Sequence, residues 1–162
     1  MLHPAAAHFA ISLPIIALVL GLLYLFKPTD VMSKVSSRFL AFAAIFVVIA
    51  YFTGKNDAKE VFEFLSSDAK GVLVEHAKLG MYLAISMTAI ALIKMFACYK
   101  KMFKVEILAV VLLAVLSAGI LSQGKMGGEL TYGYGAHVSG YAEGKACLVE
   151  AAEMEDDEDE DE

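Results

Sequence analysis

A chain of 162 residues that is 59% hydrophobic, only 20% charged and carries a formal charge of -6 is too apolar for a soluble domain, which runs at about 45 to 50% apolar and about 25% charged. Two Cys, three Pro and no Trp exclude a disulfide scaffold, a collagen-like chain and a disordered polypeptide. What remains is a small all-α integral membrane protein.

Four apolar runs order the chain. Ala5 to Phe26 contains no charged residue and exceeds the roughly 20 residues a spanning helix needs. It is expected to stay in the mature protein, because no Lys or Arg precedes it and no clear cleavage site follows. The second run, about 36–53, and the third and fourth, about 76–97 and 105–123, reach spanning length if Ser36, Thr53, Lys78, Lys94 and Gln123 sit at the interface. There lysine can extend its stem through apolar surroundings and keep its ammonium wet. The reading is a four-helix membrane bundle over residues 1–138.

Between spans two and three, Asp57 is followed three residues later by Glu60, a capping-box pattern. Val61, Phe62 and Leu65 recur at helical spacing, which predicts a short separate helix on the membrane surface. After span four the segment from Gly124 to Gly144 is rich in Gly and Tyr, so an ordered loop over the mouth of the bundle competes with disorder. Residues 139–162 end in Glu153 to Glu162, nine acids in ten positions, and are expected to be a disordered, solvated tail. A nucleic-acid partner is disfavoured, because no basic patch interleaved with aromatics accompanies that tail.

Charge sets the orientation. The segments Lys27 to Arg38 and Lys94 to Glu106 hold seven Lys/Arg against Asp30 and Glu106. Basic residues in short loops near span ends stay in the cytoplasm. Both termini are therefore expected outside, in the periplasm of a bacterial inner membrane.

That topology gathers His3, His8, His76 and His137 at the outer side, where an intramembrane ionisable group is a functional candidate. Pro4 suits the first helical position. His3 and His8 then lie about 140° apart on one helix, so only one can point inward. His8 lies deeper and is the one paired with His76. Gly80, Ala84 and Met87 continue the face below His76. Small residues there either bring helices together or leave room for a flat macrocycle, with His8 and His76 as axial ligands of a haem b and with His3 and Gly80 beside them. No Cys-x-x-Cys-His is present, which excludes covalent c-type attachment. A metal site built from His3, His8, His76 and His137 with Glu75 or Glu129 is the other use of these residues, although the spacing matches no metal motif. The Met residues are scattered and read as packing. Cys98 and Cys147 fall on opposite sides of the bilayer and cannot pair within one chain.

The motif residues His3-Pro4-Ala5-Ala6-Ala7-His8-Phe9, Thr53-Gly54, His76-Ala77 with Gly80, and Gly128-Glu129-Leu130-Thr131-Tyr132 through His137-Val138 resemble a bacterial family of four-span inner-membrane proteins catalogued as a domain of unknown function. The resemblance covers about residues 1–138 and implies the same fold and topology. Two departures stand out: Ala10 where a Pro would follow His-Phe, and Tyr134 where the last His is expected, with His137 at a glycine position.

The function expected from these residues is a non-enzymatic redox or haem-binding component exchanging electrons with other membrane or periplasmic redox proteins. The alternatives are a structural or assembly subunit of a membrane complex, and a metal-binding or transport protein.

Overall fold

The computed structural model describes residues 2–136, 138 and 140. Four α-helices follow one another, α1 His3–Phe26, α2 Asp30–Val61, α3 Ser67–Lys100 and α4 Phe103–Gly128, with a 3₁₀ turn at Phe62–Phe64 and a π-helical turn at Glu129–Gly133. All four are long and apolar enough to cross a membrane. Even α1, the shortest at 24 residues, extends about 36 Å at 1.5 Å per residue, against roughly 30 Å of hydrocarbon.

Local chemistry sets the boundaries. Pro4 occupies the first turn of α1, where its missing N–H costs no helical bond. Thr29 caps α2 by accepting from the Met32 N–H at 3.2 Å, and Asp30 adds a negative charge to that first turn. Ser66 caps α3 by accepting from the Ala69 N–H at 3.3 Å, with Asp68 in the first turn. α3 ends where Lys101 adopts a left-handed conformation with φ of 55°. Lys101 and Met102 alone separate α3 from α4. The exposed Lys101 ammonium donates to Asp30 Oδ2 at 2.9 Å, which ties this turn to the start of α2 and raises the lysine above its ordinary range.

Each helix packs on its chain neighbours, and α1 closes the ring against α4. α1 and α3 therefore face each other across one diagonal of the bundle. The middle of the core is apolar: Ala17, Leu40, Ala43, Val47, Leu83, Met87, Leu113 and Leu116 are all buried there. Large apolar side chains also point outward, among them Ile16, Val19, Phe42, Ile45, Ile85, Leu92, Val111 and Val115. Outward apolar residues on every helix are what a bilayer, and not water, demands.

One end of the bundle holds the two tight connections, α1 to α2 and α3 to α4, and with them the basic segments. The other end holds the α2 to α3 connection, the N-terminus and the π-helical turn. The separate surface helix expected at Asp57 to Leu65 is absent: those residues are the last turns of α2 and the 3₁₀ turn that follows. Nothing between Thr53 and Asp57 breaks the helix, and Gly54 lies inside α2. The chain turns only where Leu65 and Ser66 become extended. Beyond α4, Leu130 and Ala136 are buried with Leu73 and pack against Val61, Leu65 and Val72, so the Gly/Tyr segment is ordered over the bundle mouth as far as Ala136. His137 and, apart from residue 140, the tail 139–162 lie outside the described residues.

Candidate functional site

Two polar clusters occupy opposite ends of the bundle. At the first, His3 from α1 meets His76 from α3 across the diagonal, with ring centres 6.4 Å apart and planes at 84°. His3 reaches inward because its Nδ1 lies 3.0 Å from the Ala50 carbonyl of α2. A carbonyl only accepts, so Nδ1 is the donor in this contact. The ring rests on Gly54, one turn after Ala50. A Cβ on Gly54 would stand 2.7 Å from His3 Cε1 and 2.9 Å from Nδ1, so only glycine lets α2 pass this close to the imidazole.

His76 is placed from the other side. Its Cε1 lies 3.3 Å from where a Cβ on Gly127 would be, one residue before the motif Gly128-Glu129-Leu130-Thr131-Tyr132 enters its π-helical turn. Below it, the Gln123 amide donates to the His76 carbonyl at 2.9 Å and fills the space over Gly80, whose Cβ would be 3.0 Å from Gln123 Nε2. His76 Nδ1, Gln123 Oε1 and Asp57 Oδ2 are buried without a hydrogen-bond partner among the described residues. Asp57 follows Gly54 by one turn and shares its face of α2. Three such orphans at one end of a small bundle are unusual, because buried polar atoms are as a rule satisfied.

The pairing expected from sequence is corrected on one residue. His8 is exposed, and its Nδ1 is 2.6 Å from the Pro4 carbonyl of its own helix; the histidine against His76 is His3. The geometric premise holds, since one residue of the pair turns in and the other out. Depth along the helix was the wrong criterion for choosing between them, because the deciding contact is the Gly54 surface of α2. The room expected beneath His76 is also taken, Gly80 by Gln123 and Ala84 and Met87 by the core. An apolar cavity of about 430 Å³ opens between α2 and α3, lined by residues such as Val48, Tyr51, Met81, Ala84 and Thr88, and neither histidine lines it. Among the described residues no group of three or more His, Cys, Asp or Glu is placed to hold a metal ion, so neither Glu75 nor Glu129 completes a ligand set with the histidines.

The second cluster was not expected. Lys94 Nζ donates to Glu106 Oε2 at 2.8 Å, and the two side chains are 1% and 2% exposed. Glu106 also accepts from Tyr24 Oη at 2.9 Å and from Ser33 Oγ at 2.8 and 3.0 Å. The Lys94 ammonium stands 4.7 Å from the centre of the Tyr24 ring, within the range of a cation–π contact. Tyr24, Ser33, Lys94 and Glu106 come from α1, α2, α3 and α4 in turn, so one carboxylate ties all four helices. Ser36 lies beside it, donating to the Ser33 carbonyl at 3.1 Å, and Ser37 Oγ is buried without a hydrogen-bond partner among the described residues. Lys94 is thus no interfacial lysine with a wet ammonium: its stem turns inward because Glu106 offers a full countercharge across the short α3 to α4 turn. The available signal was a single acid, Glu106, among the four lysines Lys94, Lys100, Lys101 and Lys104 around the α3 to α4 turn.

Between the clusters the interior is apolar, and buried Ser117 there bonds to its own helix at Leu113. The sequence model of a family described as "Predicted membrane protein (DUF2231)" matches residues 1–140, a stretch that includes both clusters. No curated protein matches the chain, and neither does any solved structure. The His3-Pro4 start, Thr53-Gly54, His76 with Gly80 and the Gly128 to Tyr132 turn converge on one end of a four-helix bundle, and with 140 of its 162 residues matched the chain belongs to this DUF2231 family of membrane proteins.

Proposed function

We propose that this membrane protein holds a metal-centred redox cofactor, haem b, at the histidine end of the bundle, with His3 and His76 as its ligands. The observation that carries the reading is the convergence of two imidazoles from opposite helices, with no group of three or more His, Cys, Asp or Glu placed to hold a metal among the described residues. A structural zinc site takes four protein ligands and a catalytic one three, whereas haem iron takes four donors from its macrocycle and needs only the axial pair from the protein. A haem b at this end would be held by His3 and His76, whose ring centres lie 6.4 Å apart. The Ala50 carbonyl supplies the outer-shell bond that fixes a ligating histidine's tautomer.

Bound haem iron exchanges single electrons. The protein's part is to orient the imidazoles and keep the site at one face of the membrane. With basic loops retained inside, that face is the outer one, both termini are periplasmic in a bacterial inner membrane, and the electron partners are membrane or periplasmic redox proteins. The apolar layer between the clusters offers no polar route across, which favours this reading over transport.

The protein purified in detergent from haem-replete cells is expected to show a Soret band that shifts on dithionite reduction. The band should be lost in His3→Ala and in His76→Ala and kept in His8→Ala. A colourless, folded preparation overturns the reading. It would favour a structural or assembly subunit instead, for which the packing of Gln123 onto Gly80 and the edge-to-face histidine contact are already sufficient. Elemental analysis of the same sample tests for a metal bound without a macrocycle.

A further inference from the structure

The basic end of the bundle carries more positive charge than its own acids can offset. Both acids there are engaged: Glu106 is buried with Lys94, and Asp30 holds Lys101. Lys27, Lys34, Arg38, Lys100 and Lys104 remain exposed, and no ion pair is found for them among the described residues. The end of the bundle with the histidines differs, since its lysines Lys55, Lys59, Lys70, Lys78 and Lys125 are interspersed with Asp57, Glu60, Glu63, Asp68, Glu75 and Glu129.

Lys34 and Arg38 stand one turn apart on the outward face of α2. Like charges at this spacing destabilise a helix, and the one acid a turn before them, Asp30, accepts from the Lys101 ammonium at 2.9 Å and forms no ion pair with Lys34 among the described residues. The same face continues into the membrane as Phe42, Ile45 and Ile49, which are 47%, 57% and 42% exposed. From Arg38 to Ile49 the helix rises about 16 Å, which matches the roughly 15 Å of hydrocarbon in one leaflet. A pair of cations at headgroup level followed by an apolar stripe one leaflet deep has the charge and polarity profile of one anionic phospholipid in reverse.

We infer that α2 binds an anionic phospholipid, with its phosphate between Lys34 and Arg38 and an acyl chain along Phe42, Ile45 and Ile49. Free phosphate lacks the chain and gains nothing from the stripe. A zwitterionic lipid brings its own ammonium and loses most of the attraction. The inference is independent of the cofactor reading, because it concerns the opposite end of the molecule.

The test uses the full chain in detergent titrated with phosphatidylglycerol or phosphatidylcholine, with bound lipid counted by native mass spectrometry. Phosphatidylglycerol is expected to bind more tightly, and K34Q/R38Q to weaken it about fivefold for each cation removed. K55Q/K59Q makes the same change at the same spacing on the same helix but at the other end, and should leave binding unaltered. Equal binding of the two lipids overturns the proposal, as does equal loss in both double variants. Displacement of the lipid by millimolar inorganic phosphate also overturns it and assigns the cations to a free anion. All four substituted residues are exposed, and unchanged circular dichroism confirms that each variant is folded.

Discussion

Lys94 and Glu106 form a 2.8 Å ion pair that is almost wholly buried, and the same carboxylate accepts hydroxyls from Tyr24 and Ser33. Removing one partner of such a pair leaves a charge that the interior cannot solvate, which typically costs about 3–5 kcal/mol. Glu106→Leu is therefore expected to destabilise the bundle by about that amount. Lys94→Met/Glu106→Leu should recover most of the loss, because apolar pairs of similar volume often replace buried ion pairs without penalty. A double-mutant cycle of reversible unfolding in mixed micelles measures the coupling. Additive single losses would show that the two charges do not act as a pair.

The hydroxyl donors are expected to matter less. Tyr24→Phe keeps the ring beneath Lys94 and removes one of several donors to Glu106, so the loss should be about 1–2 kcal/mol, the range for a hydrogen bond to a charged group. Ser33→Ala should cost a similar amount. The same unfolding assay ranks the four helices' contributions, with Glu106→Leu well above either hydroxyl deletion.

Gly54 and Gly71 make a contrasting pair. A methyl group on Gly54 would collide with the His3 ring at 2.7 Å, whereas one on Gly71 would meet nothing within 4 Å. Gly54→Ala should force the imidazole off the Ala50 carbonyl and destabilise by about 1–3 kcal/mol, as overpacking does. Gly71→Ala, on an exposed helical turn, should stabilise by about 0.5–1 kcal/mol through lost backbone entropy of the unfolded chain. Thermal unfolding in one detergent reads both signs.

Lys101 is the one non-glycine described residue with positive φ, at 55°, and it ends α3 where glycine is the usual choice. Lys101→Gly relieves that backbone while deleting an ion pair whose partners are 74% and 69% exposed and which high solvent screening makes weak. The variant is expected to be more stable than the parent. The gain should grow with added salt, because salt weakens the parent's ion pair and leaves the backbone term alone. A drop in melting temperature would mean that the pair to Asp30 outweighs the strained turn.

Much of this protein follows from its sequence alone. Uncharged apolar runs of spanning length leave a chain no option in a bilayer but hydrogen-bonded helices, so the α class and the four crossings were legible from composition and run length. That His3 and His76 share one end also followed, because spans that alternate in direction put the start of the first and the start of the third on the same side. What only the tertiary structure decided is which side chains meet. His3 and not His8 turns inward because a neighbouring helix presents Gly54 and the Ala50 carbonyl, and neither can be inferred from α1. Lys94 lies buried and not at the interface because Glu106, Tyr24 and Ser33 reach it from three other helices. Helical periodicity reports the face a residue occupies, but the rotation of one helix against the next depends on side-chain contacts that a single helix's sequence does not contain.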